Sequence, residues 1–182
     1  MNKLLGILIG FVSLITVSSC DTAPQFGPPA YDAVGNLALD RVKIDAYLDT
    51  ARIDSLYRIH DPSGIIIIVQ QEGVGSRPIF GSVIYTDYTG LLMSDGSVFD
   101  TSYEQVAIGN NIFVEGRKYT TLSFVLGSAR ILGWDFAFAR LRPRSRARLI
   151  IPSPYGFENL ENNSRIPANS VLVYDVDFRG ID

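Results

Sequence analysis

The stretch Leu126-Gly127-Ser128-Ala129-Arg130-Ile131-Leu132-Gly133-Trp134 restricts the possible folds more than any other part of the chain. A glycine directly after the strand-like run Thr121 to Leu126 releases the backbone into a turn. The segment then runs into Trp134, the only tryptophan, and on through Asp135 to Leu141. Strand runs on both sides of a short helix here place Trp134 against the concave face of a sheet. An indole in that position is a large, flat apolar floor with an N–H that needs a partner. Taken alone, a single tryptophan reads as core. Its neighbours decide whether it is also a ligand platform.

Those neighbours are strands. Ile65-Ile66-Ile67-Ile68-Val69 is β-branched throughout, and Val83 to Thr89 alternates, with Asp87 on the face opposite Tyr88. Ser94-Asp95-Gly96-Ser97 is a turn, after which Val98-Phe99-Asp100 resumes. Further strands are expected over Thr121–Leu126, Ala147–Ile151 and Val171–Phe178, with one short helix from about Ile131 to Leu141. Many strands with short connections and one helix make an α+β domain, an antiparallel sheet curved over a helix. Gly109-Asn110-Asn111, flanked by Val106–Ile108 and Ile112–Val114, reads as a hairpin turn.

Charge and residue usage remove several functional classes. A net charge of −3 argues against a nucleic-acid partner. One His and one Cys leave no pair for nucleophilic catalysis unless His60 serves, no zinc-type cluster and no intrachain disulfide. No metal or other cofactor is therefore expected. His60, just before the Asp61-Pro62-Ser63-Gly64 turn, reads as a surface residue.

The N-terminus looks like an address. Lys3, an apolar run from Leu4 to Val17 and then small residues form the layout of a secretory signal. That run is shorter than the ~20 residues needed to span a bilayer as a helix. It ends Val17-Ser18-Ser19-Cys20, which resembles the lipobox of bacterial lipoproteins. The resemblance implies cleavage before Cys20 and lipidation of its thiol, hence a membrane partner and a place in the cell envelope, facing the periplasm or the cell surface. Residues 1–19 are thus expected to be a signal and 20–38, with Pro24, Pro28 and Pro29, a tether. Residues 39–60 are expected to be a helix (Leu39 to Ala51) and connector, and 61–182 the globular domain. The helix is read as a spacer or a cover on the domain, with partner binding or dimerisation as the alternative.

The order of motifs then carries a family resemblance. Tyr88-Thr89-Gly90, Asp95-Gly96-Ser97-Val98-Phe99-Asp100-Thr101-Ser102, Phe124-Val125-Leu126-Gly127, Ile131-Leu132-Gly133-Trp134, Tyr155-Gly156, Ile166-Pro167 and Leu172-Val173-Tyr174-Asp175-Val176 resemble the FKBP-type peptidyl-prolyl isomerases. With the preceding helix and lipobox, the chain resembles the anchored lipoprotein form of that family. The resemblance implies a curved antiparallel sheet around a short helix. It also implies cis/trans interconversion at X-Pro bonds of exported or envelope proteins, and binding of macrolide inhibitors. It makes Trp134 the floor under a proline ring, with Tyr88, Phe99, Ile131, Leu132, Ile166 and Tyr174 as walls. The Leu132 N–H would hold a substrate carbonyl, and Asp100 would give polar contact at the rim.

Three positions depart from the pattern. Phe157 stands where a tyrosine hydroxyl is usual, Leu122 where an aromatic wall is common, and Arg144 in a turn usually held by glycine. Loss of one neutral hydrogen bond costs about 0.5–1.5 kcal/mol, so Phe157 implies a weaker enzyme rather than an inert one. The alternative is a non-catalytic FKBP-like binding module in an envelope or motility assembly. The alternation Arg140, Arg142, Arg144, Arg146, Arg148 reads as the solvent side of a turn and strand, or as a patch for anionic lipid.

Overall fold

In the computed structural model, which describes residues 30–129, 131–160 and 165–182, the isoleucine-rich run becomes strand β2 (Ile66–Gln71), with Ile65 to Val69 all buried. Successive side chains on a strand point to opposite faces, so such a run means that both faces of this strand are covered. Ile65, Ile67 and Val69 enter the main core, and Ile66 and Ile68 a second one behind the sheet. The expected signal segment, Cys20 and the first part of the expected tether lie outside the described residues.

The other strands are β1 (Tyr57–His60), β3 (Val83–Leu92), β4 (Val98–Thr101), β5 (Leu122–Val125), β6 (Arg146–Ile151) and β7 (Leu172–Ile181). All pairings are antiparallel, in the order β1-β2-β6-β7-β3-β4, with β5 beside the first half of β3. Strand β1 pairs residue for residue with β2, so the sheet begins at Tyr57, before the boundary expected at residue 61. His60 is its exposed last residue.

Helix α1 spans Ala33–Thr50 and starts six residues earlier than the sequence suggests, which makes residues 33–38 helix rather than tether. Gly35 and Asn36 are poor helix formers and hid the start. Asp32 supplies it as the N-cap, its carboxylate accepting from the Gly35 N–H at 2.9 Å. The helix lies on the outer sheet face, where Ile44 packs with Ile66, Ile68, Ile150, Val171 and Val173. Burying one such isoleucine is worth about 1.5–3 kcal/mol.

The expected hairpin around Gly109 is instead helix α2 (Glu104–Gly109), continued by a turn at Asn110-Asn111. The 106–112 stretch carries too short an apolar run on either side to pair as strands. Ala107 is buried, Val106 half-buried and Ile108 exposed, the pattern of one helical turn laid on the sheet edge. Helix α3 (Leu132–Phe138) fills the concave face and buries Gly133, Trp134, Asp135, Ala137 and Phe138. Arg144 does adopt the glycine conformation, with φ +67°, and its N–H donates to the Phe178 carbonyl at 2.6 Å. In the arginine series, Arg140 pairs with Asp61, Arg142 with Glu72 and Arg148 with Asp175, so these three form ion pairs rather than a free basic patch.

Candidate active site

The start of α3 is set by the turn before it. Gly127 has φ +95°, where a side chain would be strained and its Cβ would meet the Phe80 ring. Buried Asp135 holds this turn from inside the helix, accepting from the N–H of Gly127 at 2.7 Å and of Ala129 at 3.3 Å. Trp134 is thereby fixed against the inner face of β3 and β7.

Around the indole the rings pack edge to face. The Trp134 centroid lies 5.3 Å from that of Tyr88 and 5.2 Å from that of Tyr174, with interplanar angles of 76° and 84°. Phe99 meets Tyr174 at 5.6 Å and 90°. Each such pair adds about 0.5–1.5 kcal/mol beyond the area it buries. Gly90 makes the arrangement possible: a Cβ there would lie 2.7 Å from Phe99 and 2.8 Å from Tyr174. Alternation along β3 therefore serves the site twice, with Tyr88 forming a wall and Gly90 leaving room for two others.

Ile131 and Ile166 are buried in the same cluster, and Phe157 packs against it partly exposed. Leu132, first residue of α3, points its side chain outward at 50% exposure. Its N–H belongs to the first helical turn, which has no intrahelical acceptor. Leu122, at 36% exposure on the sheet edge, is not among the buried side chains of the cluster. Phe124 is there instead, 5.4 Å from Trp134, on the same face two residues along β5. Its place in the Phe124-Val125-Leu126-Gly127 motif and its parity with Leu122 were the signals that mark it.

The rim is electrostatic. The Tyr88 hydroxyl donates to Asp100 Oδ2 at 2.7 Å, and Arg117 pairs with Asp100 Oδ1 at 2.7 Å. Arg117 also donates to the Thr101 carbonyl and lies 4.9 Å over the Tyr119 ring. Burial first, then the hydrogen bond to Asp100 and its charge, raise the Tyr88 phenol well above its usual value. Tyr88 thus stays a donor at any physiological pH. Burial works against the Arg117 charge, but Asp100 and the two tyrosines outweigh it and raise its pKa. Nothing in the local sequence marks Arg117, because it reaches Asp100 from the far end of the segment that follows β4.

Little of the floor is open. Trp134 is 4% exposed, and its Nε1–H is buried with no acceptor among the described residues. A buried donor left so costs about 1–3 kcal/mol. A proline ring that reaches the indole must replace contacts now made by the surrounding side chains. Two surface hollows lie elsewhere, one of ≈ 440 Å³ between Asp87, Tyr103 and Tyr119, the other of ≈ 390 Å³ between Gln71, Arg146 and Arg179. Among the described residues, no group of three or more His, Cys, Asp or Glu is placed to hold a metal ion.

Residues 75–179 match the family model of the FKBP-type peptidyl-prolyl cis-trans isomerases. A Neisseria meningitidis FK506-binding protein is 30% identical over 115 residues, which covers 63% of this chain and 94% of that one. The human peptidyl-prolyl cis-trans isomerase FKBP4 is 27% identical over 124 residues, 65% of this chain. The chain spans only 24% of the length of that protein and of its mouse and bovine counterparts. Among solved structures, a Pseudomonas syringae peptidyl-prolyl cis-trans isomerase superposes with a TM-score of 0.60 at 20% identity, covering 86% of this chain and 99% of that one. Escherichia coli FkpA gives 0.59 at 22% identity, over 81% and 63%. At those identities the structures establish the fold. The chain belongs to the FKBP-type peptidyl-prolyl cis-trans isomerase family.

Proposed function

We propose that this chain interconverts cis and trans X-Pro bonds in exported polypeptides while held to a membrane by a lipidated Cys20. The observation that carries the catalytic reading is the ring cluster of Tyr88, Phe99, Trp134 and Tyr174, bordered by the Tyr88–Asp100–Arg117 rim. Rotation about the prolyl bond has a barrier of about 18–20 kcal/mol because it breaks amide resonance. No covalent intermediate is needed. In the twisted amide the carbonyl is less polarised, so a dry apolar cradle binds it better than either planar isomer, and only that difference accelerates the step. Trp134 would seat the ring, the Leu132 N–H would take the carbonyl that precedes it, and Asp100 would orient the approaching backbone. An FK506-type macrolide would compete for the same cradle.

The test is the rate of isomerisation of a proline peptide with and without such an inhibitor. Activity that the inhibitor abolishes supports the reading. A second reading, a non-catalytic binding module, draws on Phe157, on Leu122 lying at the edge and on the nearly closed indole. Phe157→Tyr separates the two: a severalfold rise in rate marks a live but weakened site, whereas no activity in either form favours the binding module. Lipidation rests on the Val17-Ser18-Ser19-Cys20 pattern. It predicts incorporation of a labelled fatty acid in bacteria, lost in Cys20→Ser.

A further inference from the structure

Asp40 sits on α1, outside the stretch that matches the family model, yet its side chain is only 1% exposed. Both of its carboxylate oxygens are used. Oδ2 accepts from the Ser153 N–H at 2.8 Å and from the Ser153 hydroxyl at 2.6 Å, and Oδ1 accepts from Lys43 at 2.9 Å. A serine hydroxyl has one proton, so with it given to Asp40, the Tyr31 hydroxyl 3.1 Å away must be the donor to Ser153 Oγ. Tyr31, just before α1, and Asp40, within it, thus grip one serine from two directions.

Ser153 is the hub of the loop that follows β6. It opens a short 3-10 helix, Ser153–Tyr155, and its carbonyl accepts from the N–H groups of both Gly156 and Glu158, each at 3.0 Å. Phe157 lies between those two residues and packs against the cluster that holds Trp134. The Glu158 carbonyl accepts from Asn169 N–H at 2.8 Å, which ties in the segment bearing Ile166. Tyr155 meets Phe136 of α3 edge to face at 5.5 Å. A line of contacts therefore runs from a buried carboxylate on α1 to two walls of the candidate site.

We infer that Asp40 is a positioning residue: through Ser153 it sets where Phe157 and Ile166 stand, and it makes α1 part of the substrate-binding unit. The inference rests on the isomerase reading for its catalytic consequence, but not for its effect on binding. Asn at position 40 can still accept from both Ser153 donors with its one amide oxygen, but those bonds lose their charge and its N–H₂ faces the Lys43 ammonium, donor against donor, whereas Ile44 still seats the helix.

The test is a double-substitution cycle on the whole chain. Asp40→Asn, Phe157→Ala, both together, and Ile44→Val as a control are compared by proline-peptide kcat/KM and by titration of Trp134 fluorescence with the same peptide. Asp40→Asn should lower kcat/KM and peptide affinity about five- to tenfold. In the Phe157→Ala background it should add less than about twofold, since the effect passes through that loop. Ile44→Val should lower thermal stability and leave both readouts within twofold. Ser153→Ala, which keeps the N–H contact, should fall between parent and Asp40→Asn and serves if that variant does not fold. Parent-like binding by Asp40→Asn, or losses that multiply with those of Phe157→Ala, would overturn the inference. An inactive parent whose affinity still follows the cycle would sink the isomerase reading and leave this one standing.

Discussion

The two faces of the sheet use the same strands for different ends. On the inner face, Tyr88 and Gly90 of β3 and Tyr174 of β7 build a ring cluster around Trp134. On the outer face, the intervening residues divide into an apolar half under α1, with Ile68, Ile150 and Val173, and a polar half. In the polar half Arg148 grips Asp175 with two bonds of 2.6 and 2.7 Å, and Arg179 bridges Asp87 and Asp177. Asp87 and Asp177 are direct cross-strand partners, a repulsive pairing unless a cation sits between them, which Arg179 supplies. A shift of one residue along these strands thus separates binding from attachment.

That division predicts which substitutions act on activity and which on stability alone. Trp134→Ala should have the largest effect, costing about 3–5 kcal/mol by denaturant unfolding and bringing proline-peptide isomerisation to background even where the protein is folded. Retained activity would show that the inner face is only core. Ile68→Ala, on the outer face, should cost a comparable ~2–5 kcal/mol but leave kcat/KM of the folded protein within about twofold. A parallel loss of activity would erase the contrast between the faces.

The rim should behave in the opposite sense. Arg117→Met breaks a part-exposed ion pair, so unfolding should shift by no more than about 1 kcal/mol. Without it Asp100 loses its cation and is held only by the Tyr88 hydroxyl and the Thr101 N–H, so kcat/KM should fall severalfold while peptide affinity falls less. A rate equal to that of the parent would remove Arg117 from the site.

The smallest effect is expected outside the ring cluster, at Asp61, which pairs with Arg140. Burial alone would raise this carboxyl, but the Ser63 N–H and hydroxyl and Arg140 outweigh it and hold it below the usual carboxylate range. A group depressed in the folded state stabilises above its unfolded pKa, about 3.9, and loses that contribution as pH falls through the folded value. Asp61→Asn should therefore flatten the acid side of the stability profile below about pH 4 and leave isomerisation unchanged. A steeper acid limb in the variant would reverse the assignment.

Much of this arrangement was legible from the residues. Period-two alternation in Val83–Thr89 gives Tyr88 and Asp87 their opposite faces, and the glycine turn before Trp134 gives the start of α3. What escaped depended on tertiary contacts. Gly35 and Asn36 disguised the first turns of α1, which are held by the Asp32 cap and by Tyr31 reaching Ser153. Arg117 reaches Asp100 only because the 104–121 segment folds back on β4, and nothing in its local pattern reports that return. Helix α2 was missed because one buried residue, Ala107, is too weak a signal to set against a Gly-Asn-Asn turn.

One measurement bears on the whole account: the cis-to-trans rate of a proline peptide, followed by exchange NMR with the whole chain, the chain plus an FK506-type macrolide, and Trp134→Ala. The account predicts acceleration by the native chain alone, removed by inhibitor and by the substitution alike. Acceleration that survives Trp134→Ala, or none from the native chain and from Phe157→Tyr, would contradict it.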